Sequence, residues 1–230
     1  MKFLYHFVGF WIGLIFLLPV VASASTPLRV VASFTILADM VQQVGGEAVT
    51  VKSLVGPNGD AHRYEPTPMD AQAIMAADCF VVNGLGFEGW MARLVKASGF
   101  QGVVVTASQG TTPLFMAGDG QADPHAWHDL ASARVYVGNI AEALGRLAPQ
   151  RAGMIQANAA RYDGELAALD LWVRSQFATI PHARRKVITS HDAFGHFARA
   201  YGVAFLSPMG GSTDAEPSAK GVAKLIVQAR

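Results

Sequence analysis

Residues 28–55 read LRVVASFTILADMVQQVGGEAVTVKSLV. Leu28 to Phe34 is a short β-branched run, Ile36 to Val44 carries apolar residues at helical spacing, and Val49 to Val55 is strand-like again. Strand, crossover helix and strand make a βαβ unit, which commits the chain to a parallel sheet. The alternation continues outward with helix Met69 to Ala77, strand Cys79 to Val82, helix Phe87 to Ala97 and strand Val103 to Thr106. A further helix pattern runs from Leu130 through Ala133, Val137, Ile140, Leu144 and Leu147.

Beyond Pro149, residues Tyr162, Leu166, Leu169, Val173, Phe177 and Ile180 step by three and four until Pro181, predicting one long helix. Strand Lys186 to Thr189, helix Ala193 to Tyr201, strand Val203 to Leu206 and a closing helix from Pro217 follow. The predicted fold is α/β, two lobes with parallel-type sheets joined by a long helix. The expected division is a signal peptide over 1–24, an N-terminal lobe over 25–148, the linking helix over 149–182 and a partial C-terminal lobe over 183–230. The closing helix reaches Arg230 with no C-cap signal and no strand after it. Two strands are also few for a sheet. The second lobe is therefore expected to be incomplete, and the chain truncated at its C-terminus.

The start reads as an export signal: Lys2, an apolar run from Phe7 to Val21, and the small residues Ala22, Ser23 and Ala24. Cleavage near Ala24 is expected, with an uncleaved membrane anchor as the competing reading. Cleavage would remove Lys2 and leave 17 basic against 17 acidic residues. Near neutrality, without a run of Lys or Arg, argues against a nucleic-acid partner. Cys79 is the single cysteine, so no intramolecular disulfide forms, and its apolar setting reads as a small buried hydrophobe ahead of a metal ligand.

Three histidines stand out, each beyond a strand and among turn formers. His62 lies in Gly56 to Pro68, a loop punctuated by glycine and proline. His125 lies in Asp123-Pro-His-Ala-Trp-His-Asp129, where Trp127 can wall a site and Asp123 or Asp129 can accept the second imidazole N–H or cap the helix. His191 follows the strand ending at Thr189, with Asp192 as a helix cap or acceptor. His128 is a second candidate ligand, and His196 reads as packing or exposure. Open α/β sheets bind ligands at the carboxyl edge, so the three imidazoles are placed to meet around one ion. Zinc takes imidazole nitrogens, whereas manganese, magnesium and calcium prefer oxygen donors.

In this combination the chain resembles the metal-binding solute receptors of bacterial ABC transporters, especially the zinc-type members. The resemblance rests on Ser33-Phe34 after the first strand, the Asp60 to Pro68 loop, Asp123 to Trp127, Ser190 to Phe194, and Pro217 to Ala219. It implies two lobes bridged by a rigid helix, with a metal held between them and delivered to a membrane permease. His62, His125 and His191 match the family's three histidine ligands. Manganese-type relatives commonly carry a carboxylate in place of the third histidine, so His191 implies zinc. The resemblance also implies a fourth, acidic ligand, expected beyond Arg230. Ser108 to Ala122 holds no histidine, unlike the His-rich loop of many zinc receptors, which leaves open whether a metallochaperone loads the protein.

The expected function is that of a monomeric periplasmic receptor, not an enzyme, which captures Zn2+ and delivers it to an ABC permease. A zinc hydrolase is the first alternative, since three histidines with an open position also describe a catalytic zinc, with Glu65 or His128 as base. Glu65, before Pro66 in a turn, reads more simply as a structural acid. Surface adhesion is the second alternative, although the sequence offers no adhesive module or exposed apolar stripe.

Overall fold

The computed structural model describes residues 26–116, 120–208 and 226–227. The expected leader, its cleavage at Ala24, the Pro217 to Ala219 motif and most of the closing helix lie outside the described residues. Strands β1 (Leu28–Phe34), β2 (Val49–Val55), β3 (Cys79–Val82) and β4 (Val103–Thr106) form one parallel sheet in the order β2-β1-β3-β4. The chain steps one way from β1 to β2 through α1 (Thr35–Gly45). It then steps the other way to β3 and β4 through α2 (Pro68–Met75) and α3 (Met91–Ser98).

With right-handed crossovers, that reversal places α1 on one face and α2 and α3 on the other. In keeping with this, α1 packs with α4 (Leu130–Leu147) and α5 (Ala152–Ala178), while α2 packs on α3. A sheet covered on both faces needs strands that are apolar throughout. Val30, Val31, Ala32, Cys79, Phe80, Val81 and Val82 are accordingly all buried. Burial, followed by the charge of Asp78, pushes the Cys79 thiol up to about 12, so this cysteine is inert packing. The reversal also opens a crevice at the carboxyl ends of β1 and β3, the place where such sheets hold ligands.

Local chemistry sets the helix ends. Thr67 caps α2 in a capping box with Asp70, and Pro68 opens the helix. The third helix begins at Met91, four residues later than its apolar pattern suggests. Gly84, Leu85 and Gly86 all have positive φ, and the turn they make swings Glu88 into the interior. Helix α6 (Gly195–Tyr201) likewise starts two residues later than expected. Its N-cap position is Phe194 with no side-chain cap, so the expected cap Asp192 does not serve as one.

Long helix α5 follows a single 3-10 turn over Pro149–Arg151. Only Ile155, Ala159 and Leu166 are buried along it, while Leu169, Leu171 and Trp172 are exposed, as are Val187 and Ile188 beyond it. The apolar positions at helical spacing thus do not all become core, because α5 meets the first sheet's helices along its N-terminal half. The exposed Arg134 guanidinium donates twice to Asp163, at 2.7 and 2.9 Å, tying α4 to α5. Strands β5 (Lys186–Ile188) and β6 (Ala204–Leu206) then pair in parallel across α6. Tyr201 on α6 donates to Asp170 on α5 at 2.8 Å, under the Arg174 guanidinium. No helix among the described residues is long and apolar enough to cross a membrane.

Replacing Thr67 by Ala removes the α2 cap, and its unfolding free energy should fall by about 1 kcal/mol, with Thr67→Ser retaining most of it. Denaturant midpoints of the two variants at equal slope provide the check.

Candidate metal centre

Each of the three histidines is held by a different device. Asp60 accepts the His62 backbone N–H at 3.0 Å, and the Trp90 indole donates to the Ala61 carbonyl at 2.9 Å, pinning the loop just before the imidazole. Phe87 packs edge-on against the His62 ring with centroids 4.6 Å apart. His191 sits past β5, where Thr189 N–H bonds Leu206 and the Thr189 hydroxyl donates to the His191 carbonyl at 3.0 Å.

His125 is the most constrained, with 2% of its surface exposed. Asp123 Oδ1 accepts both its backbone N–H, at 3.0 Å, and its ring Nδ1–H, at 2.8 Å. A carboxylate only accepts, so Nδ1 carries the proton and Nε2 presents a lone pair to the cavity. Burial alone would raise the Asp123 carboxyl, but the hydrogen bonds from the His125 ring and backbone outweigh it and hold the group below its ordinary value of 3.8.

The three rings converge. His62 Nε2 and His125 Nε2 are 3.0 Å apart, and one candidate ligand atom from each of His62, His125 and His191 lies within 4.8 Å of the others. Two nitrogens at ~2.0–2.1 Å from one ion stand roughly 3.3–3.4 Å apart in a tetrahedron and at most ~4.2 Å apart in any geometry. The His62 and His125 nitrogens already lie within that span, and a pair at the 4.8 Å limit reaches the tetrahedral spacing by closing roughly 1.4 Å. Burial, followed by the charge of His125, lowers the His191 pKa and so favours the neutral, lone-pair form that a metal needs. Phe34, Phe87 and Trp127 help to wall the cavity of about 460 Å³ that these rings share.

Other residues singled out from the sequence find different roles. His128 lines the same cavity but packs on Trp127 and Phe194 outside the converging set. Burial, and next His125, lower it to about 4, so its ring is neutral near pH 7. Asp129 caps α4 by accepting from Ala131 N–H, as its position suggested. His196 is fully buried, which resolves its reading in favour of packing. Glu65 lines a separate cavity with Tyr64 and Trp90.

Sequence reasoning missed the buried support beneath the site. Glu88 accepts from Ser33 Oγ at 2.7 Å, from Asn83 N–H at 2.6 Å and from Gly84 N–H at 3.1 Å. Asn83 in turn donates to the Pro124 carbonyl at 2.8 Å and accepts from the Tyr136 hydroxyl at 2.7 Å, so the ends of β1 and β3 fix the loop that carries His125. The Asn83-Gly84-Leu85-Gly86 stretch signals a turn, but nothing local says that Glu88 points inward. Burial raises the Glu88 pKa against the opposing hydrogen bonds.

The comparisons with known proteins agree with this fold. A family model described as "ZnuA: Zinc-uptake complex component A periplasmic" matches residues 30–230. The manganese-binding lipoprotein MntA of Halalkalibacterium halodurans is 39% identical over 176 residues, covering 76% of this chain and 58% of the relative. The iron-binding protein YfeA of Yersinia pestis is 35% identical over 178 residues, covering 76% of this chain and 57% of the relative. The chain thus spans less than two thirds of the length of either. Among solved structures, the periplasmic zinc-binding protein TroA from Treponema pallidum superposes with a TM-score of 0.82 at 31% identity, over 88% of this chain and 74% of that one. The manganese-bound S38A mutant of a periplasmic metal-binding protein from Candidatus Liberibacter asiaticus superposes with a TM-score of 0.79 at 29% identity, over 88% and 76%.

Because the folded state binds the Glu88 proton more tightly than the unfolded chain, the contribution of that proton is full below the ordinary value of 4.5 and is lost as pH rises through the raised one. Wild-type stability should therefore fall relative to Glu88→Gln as pH rises above 4.5, read by urea unfolding at several pH values. A difference that stays flat with pH would contradict this. Glu88→Leu, which strands three donors, should cost more than about 2 kcal/mol.

Proposed function

This chain belongs to the family of the periplasmic zinc-uptake complex component A, and we propose that it captures Zn2+ outside the cytoplasm and hands it to the membrane permease of an ABC transporter for import. The observation that carries this reading is the convergence of three imidazoles from three separate loops on one point. His62, His125 and His191 are the ligands in this proposal, and a fourth position is left for water or a further acidic ligand. The reading divides the chain into a leader over 1–24, lobes over 25–148 and 183–230, and the connecting helix over 149–182. A metallochaperone and a monomeric state belong to the same proposal.

Relatives are named for manganese, iron and zinc, so the family alone does not choose the ion. The donor set favours zinc: three imidazole nitrogens and, among the described residues, no converging carboxylate suit zinc better than manganese, which takes oxygen donors. Binding requires all three rings to be neutral. The lowered His191 pKa supports this requirement for that ring, and the Asp123 bond fixes which nitrogen of His125 carries the proton. Capture then exchanges the ion's water for imidazole as the rings close on it, with no bond chemistry. Of the two side chains eligible as a hydrolytic base, Glu65 lines a different cavity, while His128 lines the cavity of the three histidines but packs on Trp127 and Phe194.

Titration of metal-free protein should give one zinc site, with manganese bound much more weakly and His125→Ala reducing zinc affinity by at least about 100-fold, on the order of the largest effects seen around metal ligands. His191→Glu, which restores an oxygen donor, should narrow the gap between the two metals. Comparable weak binding of both ions, unchanged by His125→Ala, would overturn the proposal.

A further inference from the structure

The hydrogen bond that readies His125 is itself held by α6, an element on the far side of the long helix. His196 lies on α6, fully buried, with Nε2 3.1 Å from the Asp123 carbonyl oxygen. Arg199, one turn on, places Nη2 3.2 Å from His196 Nδ1. A guanidinium only donates and a carbonyl only accepts, so one tautomer satisfies both: Nδ1 accepts from Arg199 and Nε2–H donates to Asp123. The same Arg199 nitrogen lies 3.7 Å from Asp129, the cap of α4, and 3.5 Å from the Thr112 carbonyl. Arg199 thus faces both flanks of the His125 loop.

A second contact comes from the first residue of α6. A Cβ at Gly195 would stand 2.6 Å from Asp123 Oδ2 and 2.9 Å from Leu114 Cδ2. The bare Cα of Gly195 is therefore packed against the carboxylate whose other oxygen takes both N–H groups of His125. Asp123 is held at its carbonyl by His196 and at its carboxylate by Gly195, and neither residue is among the converging imidazoles.

We propose that Gly195, His196 and Arg199 are positioning residues, a latch through which α6 sets the rotation and tautomer of His125. The inference rests on the reading of His125 as a metal ligand. In this arrangement the lone pair of His125 is available only while α6 sits against the loop from Asp123 to His125. Metal retention then depends on contact between the two parts of the chain as well as on the ligands. A displacement of α6 would free Asp123 and loosen His125 without touching the ion.

The experiment compares wild type, Gly195→Ala, His196→Phe, His196→Gln and His125→Ala by zinc competition titration, zinc dissociation rate and the visible spectrum of the cobalt-loaded protein. The ring N–H of His125 is followed by 15N NMR in metal-free protein. Gly195→Ala and His196→Phe are expected to weaken zinc by about 10-fold or more, the size of effect seen for partners of metal ligands, with faster release and a weakened His125 ring N–H signal. His196→Gln, which keeps a donor toward Asp123 and an acceptor toward Arg199, should recover most of the affinity. Alanine is a better helix former than glycine, so a loss in Gly195→Ala cannot be blamed on a weakened α6. Zinc affinity, cobalt spectrum and ring N–H signal unchanged in both Gly195→Ala and His196→Phe would overturn the latch while leaving the metal site standing. Losses that track thermal stability in all three α6 variants, His196→Gln included, would also overturn it. Wild type binding zinc no better than His125→Ala would overturn the metal reading, and the latch with it.

Discussion

An imidazole removed from water presents a lone pair to an ion in a fixed direction only if its other nitrogen has a fixed partner. In this chain that constraint falls on His125, nearly without solvent contact, and Asp123 meets it with one oxygen that binds both the ring and the backbone of the same residue. Much of the surrounding architecture bears on this bond. The Asp123 N–H bonds Leu114, Asn83 holds the next carbonyl, at Pro124, and α6 closes on the far side. His62 and His191, by contrast, sit on partly exposed bends.

The sheet order supplies the place for this arrangement. Reversal of direction between β1 and β3 leaves their carboxyl ends without a crossover helix between them, so the loops there are free to carry ligands. Polar groups at that point must still be satisfied. Ser33 at the end of β1 and Asn83 at the end of β3 are both fully buried, and Glu88 bonds the two together. Desolvating Glu88 is costly, as its raised pKa records, and three donors offset that cost. The result is a hydrogen-bonded floor under a cavity walled in part by the packed aromatic rings of Phe34, Phe87 and Trp127.

The donor set and the fold answer different questions. Family membership accounts for the architecture, while relatives named for manganese, iron and zinc share it. The proposal of zinc therefore rests on the imidazole donors and not on the frame.

Much was legible from the residue pattern because period and punctuation are local properties. The runs Leu28–Phe34, Cys79–Val82 and Val103–Thr106 became strands with those bounds, and the α4 stripe from Leu130 to Leu147 became a helix. The candidacy of His62, His125 and His191 followed from their position beyond strands, and Asp129 as a cap followed from its place before an apolar stripe. Glu88 as a buried anchor, the late starts of α3 and α6, the inertness of Asp192 as a cap, and the hold of His196 and Gly195 on Asp123 were not legible. Each depends on which groups meet across tens of residues, such as the 73 that separate His196 from Asp123. The sequence by itself determined the alternation of elements and the chemistry on offer. The tertiary structure alone decided which polar groups lost their water together, and therefore which of them had to bond one another.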